Sequence, residues 1–190
     1  GKSSVTPTEM KIERLTSTGK VNNVVISPEE RLIVYSQREK GKQSLWVRQI
    51  ATTSTVQILP PADVSYFGLT LSKDGNYLYY VIQQIGAASP SLYKMPVLGG
   101  SAKKLLDDVQ SGVSLSPDEK QLTFTRYYRK SGEFSLIVAN EDGSGDRVLA
   151  THKVDKWFYG NPSWSPDGGT IVCALETIRA VITIPPLPFR

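Results

Sequence analysis

Short apolar runs rich in β-branched and aromatic residues recur along this chain, each preceded by a tight polar turn. The runs are "RLIVYS" (Arg31 to Ser36), "YLYYVI" (Tyr77 to Ile82), "LTFTRYY" (Leu122 to Tyr128) and "TIVCAL" (Thr170 to Leu175). Such runs, bounded by Gly, Pro, Asp and Ser, predict strands. No apolar stripe of period 3.6 reaches helical length, so the expected class is all-β.

The turns repeat as well. "ISPEE" from Ile26, "LSKDG" from Leu71, "LSPDE" from Leu115 and "WSPDG" from Trp164 place serines at 27, 72, 116 and 165. A second block returns in the same register. "SLWVRQIATTSTVQIL" (Ser44 to Leu59), "SLYKMPVLGGSAKKLL" (Ser91 to Leu106) and "SLIVANEDGSGDRVLA" (Ser135 to Ala150) align without a gap. A period of roughly 45 residues marks a repeat architecture. Each repeat reads as four short strands, in the second at about 65–71, 76–82, 91–96 and 103–106. A repeated four-strand meander of this length predicts β-propeller blades.

The turn residues explain themselves as hinges between the innermost strand of a blade and the next. Pro28, Pro117 and Pro166 fix φ at the second turn position and sit past the strand, where a missing N–H costs little. Asp74, Asp118 and Asp167 can bond back to the backbone, and Gly75 and Gly168 supply a positive φ. Ser27 opens the first copy. The turn varies between copies: Lys73 replaces Pro, and Glu30 and Glu119 replace Gly. A structural hinge tolerates that variation better than a catalytic turn does.

The S-P-D-G turn, the run after it and the "SLWV" or "SLYKM" strand resemble the TolB-like β-propeller repeat, a WD-type relative, over about residues 11 to 175. "KIERLTSTGKV…ISPEERLIVYSQREKGKQSLWVRQIATTS" is most similar to propeller segments behind a membrane span in bacterial receptor-type serine/threonine kinases. The resemblance implies an extracytoplasmic or periplasmic recognition, sensor or scaffold module binding a protein, peptide or envelope ligand. It equally brings in the propellers that gate prolyl-oligopeptidase-like and tricorn-like proteases. No kinase signature and no G-x-S-x-G elbow occurs in these 190 residues.

The expected layout is a linker over 1–10, then blades at about 21–59, 64–106, 109–150 and 157–184. A strand at Lys11 to Leu15 would complete the fourth. Four repeats allow either a closed four-blade ring or an arc of a larger one. An arc would have raw edges able to form a homodimer.

Composition adds exclusions. Lys+Arg number 22 against 18 Asp+Glu, interleaved rather than clustered, so nucleic acid is not an expected partner. No apolar stretch approaches a membrane-spanning length. The single cysteine, Cys173, rules out an internal disulfide and sits in an apolar run. The single histidine, His152, has no second histidine to share a metal and is expected in an exposed loop.

"NEDGSGD" (Asn140 to Asp146) has the look of a calcium loop. Thr151 stands where an EF-hand needs its bidentate Glu, and the register makes it a hairpin turn. Asp107 and Asp108 are neighbours, whose side chains on a strand would diverge. No catalytic residue, metal or cofactor is therefore expected.

The aromatics divide. Trp46, Tyr79, Tyr93 and Phe124 fall within strands and are expected to pack between blades. "RYYRKSGEF" (Arg126 to Phe134) and "KWFYGNP" (Lys156 to Pro162) mix aromatics with cations in or near loops. Tyr, Trp and Arg dominate interface hot spots, so Trp157, Tyr159, Tyr128 and Arg129 are the expected binding face.

Overall fold

In a computed structural model, the structure describes residues 19–153, 160–174 and, for the backbone, 179–183. The expected strand at Lys11 to Leu15 lies outside these residues, as do Trp157 and Tyr159.

The described residues contain no helix. The strands are β1 (Val21–Ile26), β2 (Leu32–Glu39), β3 (Lys42–Gln49), β4 (Thr55–Ala62), β5 (Val64–Leu71), β6 (Tyr77–Gln84), β7 (Ser91–Pro96), β8 (Lys103–Asp107), β9 (Ser114–Leu115), β10 (Gln121–Tyr128), β11 (Glu133–Asn140), β12 (Arg147–Lys153), β13 (Ser163–Trp164), β14 (Thr170–Ala174) and β15 (Arg179–Thr183). They form antiparallel meanders β1–β4, β5–β8, β9–β12 and β13–β15. This is a β-propeller architecture of antiparallel blades in four repeats, as the sequence pattern predicts, with four strands in each of the first three sheets and three among the described residues of the fourth. His152 lies in β12, exposed, rather than in a loop.

One hydrogen-bond pattern closes the first hairpin of every sheet. The turn serine's N–H donates to the carbonyl five residues on: Ser27 to Leu32 (2.8 Å), Ser72 to Tyr77 (2.9 Å), Ser116 to Gln121 (2.9 Å) and Ser165 to Thr170 (2.8 Å). The amide of that same partner donates back to the serine hydroxyl, at 2.9 to 3.0 Å in all four. The fourth residue of each turn has positive φ. Gly75 (71°) and Gly168 (73°) adopt it freely, but so do Glu30 (55°) and Glu119 (56°). A left-handed residue with a Cβ costs about 1–2 kcal/mol, partly offset by glycine's greater unfolded-state freedom. Glu30→Gly is therefore expected to stabilise the fold by about 0.5 kcal/mol and raise Tm by about 1–2 °C in a thermal melt. A lower Tm would mean that the Glu30 side chain carries weight of its own.

Alternation along the strands fills both faces of the middle sheets. In β6, Leu78 and Tyr80 join Val34, Leu45 and Val47 of the first sheet in one core. Tyr79 and Val81 point the other way, into a second core with Leu122, Phe124, Ile137 and Ala139 of the third sheet. There, Leu136 and Val138 turn to the fourth sheet and meet Ile171 and Cys173. The chain thus stacks sheet on sheet, each seam built from period-2 faces.

Tyr79 and Phe124 are fully buried in the second seam, and Tyr93 stacks on Tyr80 at 5.5 Å beside the first. Trp46 departs from this. Its Nε1 donates to the Ser44 hydroxyl (2.9 Å), and it lies on the outward face of the first sheet rather than in a seam between described sheets.

Neighbouring sheets touch through one repeat position at or just before the innermost strand, four residues before each turn serine: Asn23, Gly68, Gly112 and Asn161. Asn23 donates through Nδ2 to the Tyr66 carbonyl (3.2 Å). Gly112 donates its N–H to Asn161 Oδ1 (2.7 Å). Gly68 and Gly112 approach so closely that a Cβ on Gly68 would stand 2.3 Å from the Gly112 Cα.

Candidate functional site

The meander defines two ends. One carries the serine turns and the hairpins joining the third and fourth strands of each sheet. The other carries the hairpins joining the second and third strands, together with the links between sheets.

Tyr128 and Arg129 lie at this second end, on the tip of the β10–β11 hairpin. Tyr128 faces Glu133 across the ladder and is 37% exposed. Arg129 reaches over to the neighbouring hairpin and donates through Nη2 to the Ala88 carbonyl (3.2 Å). That contact braces the tips of the second and third sheets against each other. Lys130 beside it is exposed.

Beneath them, Arg126 donates to the Asp146 carboxylate (2.5 Å) and to the Asp108 carbonyl (3.3 Å), with its guanidinium 5.3 Å from the Phe124 ring centroid. Burial works against the Arg126 cation, but hydrogen bonding with Asp146 and Tyr128 outweighs it and holds its pKa above the ordinary value. The tip is thus an exposed phenol, a braced guanidinium and an exposed ammonium on one hairpin. It can stack on and hydrogen-bond a ligand, but it holds no nucleophile–base pair.

The turn end presents a different surface, one the sequence did not point out. A groove of about 450 Å³ opens between the first and second sheets. Its lining combines polar Glu29, Glu30, Arg31, Asp74 and Asn76 with apolar Ile50, Val97 and Leu98. Leu98 is 68% exposed. The signal, in hindsight, was an apolar residue in each of two hairpin turns, "QIATT" and "VLGG".

At the next seam, Tyr79 and Lys94 both donate to the Glu141 carboxylate, and Lys94 sits 4.2 Å from the Tyr77 ring centroid. Burial, reinforced by the Glu141 charge, pushes the Tyr79 hydroxyl pKa far up. Burial would raise Glu141, but hydrogen bonds from Lys94 and Tyr79 prevail and hold it low. The result is a satisfied polar clasp between sheets two and three. Phe67 was likewise not singled out. A β-bulge in β5 turns it outward, at the same repeat position as the bulged Asn22 of β1.

The other candidates take structural places. Asp142 accepts from the Ser144 amide (2.9 Å) and hydroxyl (2.7 Å), so the "NEDGSGD" hairpin turn is closed on itself. Asp107 accepts from the Ser91 hydroxyl (2.6 Å) and Lys104 (3.0 Å). Cys173 is buried, and desolvation pushes its thiol pKa up. Among the described residues, no three His, Cys, Asp or Glu side chains gather as a metal site would require. No helix among them is long and apolar enough to cross a membrane.

In three turns the aspartate accepts from its own serine hydroxyl: Ser72 to Asp74 (2.6 Å), Ser116 to Asp118 (2.7 Å) and Ser165 to Asp167 (2.5 Å). These bonds, joined by a backbone amide in each turn, hold all three carboxyls below their ordinary range. A carboxyl lowered in the folded state stabilises the fold above its unfolded pKa of about 3.9. That contribution is lost as pH falls through the folded value. A D74N/D118N/D167N variant is expected to lose less stability than the parent between about pH 5 and about pH 2 in urea titrations. Parallel losses would show that the turns do not contribute to acid sensitivity.

No protein-family model and no curated protein matches the sequence. Solved structures do. The chain superposes on TolB from Acinetobacter baumannii with a TM-score of 0.64 and 17% identity, over 80% of this chain and 37% of that one. A prolyl endopeptidase, from a study of inter-domain dynamics in catalysis and specificity, gives 0.59 and 17%, over 80% and 25%. A nidogen/laminin complex gives 0.62 and 14%, over 80% and 56%. At these identities the likeness establishes the propeller fold. The chain spans about a quarter to about half of each of these structures' lengths.

Proposed function

We propose that this chain is a non-catalytic recognition module whose binding face is the end carrying Tyr128 and Arg129. Its ligand class is a protein, a peptide or a cell-envelope component. The observation that supports this is the braced tip. Arg129 is tied by a hydrogen bond to the neighbouring hairpin while Tyr128 beside it stays exposed, which lowers the side-chain entropy left to lose on binding. By resemblance the module is the extracytoplasmic part of a bacterial receptor protein of the kinase-associated kind. The fold itself carries no function.

The second reading is a propeller that gates a serine protease. It is favoured by one observation, the likeness to a prolyl endopeptidase. In that case the catalytic serine would belong to another domain of the parent protein.

The test is a binding screen of the immobilised chain against a defined panel of peptides and soluble peptidoglycan fragments. Any hit would then be titrated against Y128A/R129A and against L98E at the opposite end. The expected result is affinity weakened at least 10-fold by the first variant and unchanged by the second. The reverse pattern would move the site to the turn-end groove and sink the assignment.

A further inference from the structure

We propose that the turn-end groove between the first and second sheets binds a peptide segment of a partner protein that sets a lysine or arginine beside a large aliphatic residue. The site is separate from the hairpin tip, which lies at the opposite end and whose Arg129 and Lys130 are cationic.

The repeat register shows how this seam differs from the next. Seven residues past the turn serine stand Val34 in the first sheet and Tyr79 in the second. Three past the serine that opens the second repeated block stand Val47 and Lys94, and six past it Val97 of the second sheet and Glu141 of the third. Val34 faces Val47 across the ladder as Tyr79 faces Lys94. Tyr79, Lys94 and Glu141 fill their seam with a phenol and an ammonium that both donate to one carboxylate. The three valines are buried and bring no polar group, and it is at their seam that the groove opens.

The backbone holds the lining in place. Ile50 donates its N–H to the Arg31 carbonyl (2.9 Å) and Val97 to the Asn76 carbonyl (2.9 Å), so each hairpin is pinned to the serine turn of its own sheet. The two turns stand side by side, since a Cβ on Gly75 would lie 3.7 Å from the Ser27 Cβ. A groove formed in advance leaves little ordering to be done on binding.

Charge and exposure select the occupant. Leu98 is 68% and Ile50 38% exposed, and neighbouring exposed aliphatics among polar groups mark interaction sites. The lining holds three carboxylates, Glu29, Glu30 and Asp74, and a single cation, Arg31, which is bonded to Glu29. Glu30 and Asp74 are thus left without a cation among the lining residues. Asp74 accepts from the Ser72 hydroxyl (2.6 Å) and from Asn76 (2.7 and 3.0 Å), bonds that favour its ionised form. A lysine or arginine of the partner answers these two charges, and the adjacent aliphatic side chain covers Leu98 and Ile50. The same carboxylates disfavour an anionic membrane surface or a nucleic acid.

Fluorescence anisotropy with three sets of capped, labelled octapeptides is the test. One set combines lysine and arginine with leucine, a second has glutamate in place of each cation, and a third has serine in place of each leucine. The first set is expected to bind, and the other two to bind at least 10-fold more weakly. Glu30→Gly and L98S are each expected to weaken the first set at least 5-fold, while I85S, which removes an exposed aliphatic at the opposite end, leaves it unchanged. The second and fourth sheets have glycine at the position of Glu30, so the Glu30→Gly loss does not come from unfolding. No binding of the first set up to about 1 mM, equal binding of all three sets, or binding that survives both groove variants would overturn the proposal. Leu98-dependent binding to phosphatidylserine vesicles in place of the peptides would overturn it in favour of a membrane.

Discussion

Gly68→Ala is expected to destabilise the protein by about 3 kcal/mol and lower Tm by about 6–12 °C, the larger of two glycine effects at the seam of the second and third sheets. An added Cβ would lie 2.3 Å from the Cα of Gly112, and that atom belongs to the backbone of the segment leading into β9. No rotamer change relieves the overlap. The two strands must part, and parting them loosens the fully buried residues behind them, Phe124 and Leu122 among others. Gly112→Ala is the internal control. Its Cβ would meet the Asn161 side chain at 2.8 Å, which can swing aside at the expense of its hydrogen bond from the Gly112 amide. That change is expected to cost about 1 kcal/mol, the worth of one hydrogen bond with modest repacking. Urea unfolding of both variants is the measurement. Equal losses would mean that the seam is not limited by backbone contact.

Phe124→Ala should cost about 3–5 kcal/mol, the range for a buried phenylalanine whose site cannot collapse. Phe124 is fully buried in the second seam, held between Tyr79 and Val81 of one sheet and Ile137 of its own. Both walls are hydrogen-bonded sheets, so the space left by the ring persists. Phe124→Leu keeps most of the volume and is expected to lose about 1–1.5 kcal/mol. A calorimetric comparison decides between them. A Phe124→Ala loss near that of Phe124→Leu would show that the sheets slide together, and that the stack is softer than its packing implies.

Much of the architecture was readable from local pattern. The serine turn is an instance. Its hydroxyl, the aspartate two residues on and the positive φ at the fourth position all act within six residues, so spacing alone exposes them. The same holds for strand β6. Its edge was expected near Ile82 and extends to Gln84, because the ladder with β5 continues to Val64. Tyr79 and Phe124 were expected between blades and lie there.

Trp46 was placed with them and lies in no seam between the described sheets, for a reason the pattern does not contain. Both faces of a propeller sheet are apolar, so alternation tells which residues share a face but not which face has a neighbour. The groove lined by Leu98 and Ile50, the Tyr79–Lys94–Glu141 clasp and the bracing of Arg129 on Ala88 were illegible for a related reason. Each joins residues from different repeats, at separations set by how the sheets stack.

The division follows from range. The sequence by itself determined the repeat, the strand order within each sheet, the turn chemistry and, with a single cysteine, the lack of an internal disulfide. All of these depend on residues within one 45-residue unit, where hydrogen-bond geometry and side-chain alternation are local. Only the tertiary structure decided which faces are covered, where inner strands touch at Gly68 and Gly112, and which exposed side chains stand together at each end. Those depend on contacts between units, and a repeat that looks alike in every copy carries no mark of which copy has a neighbour.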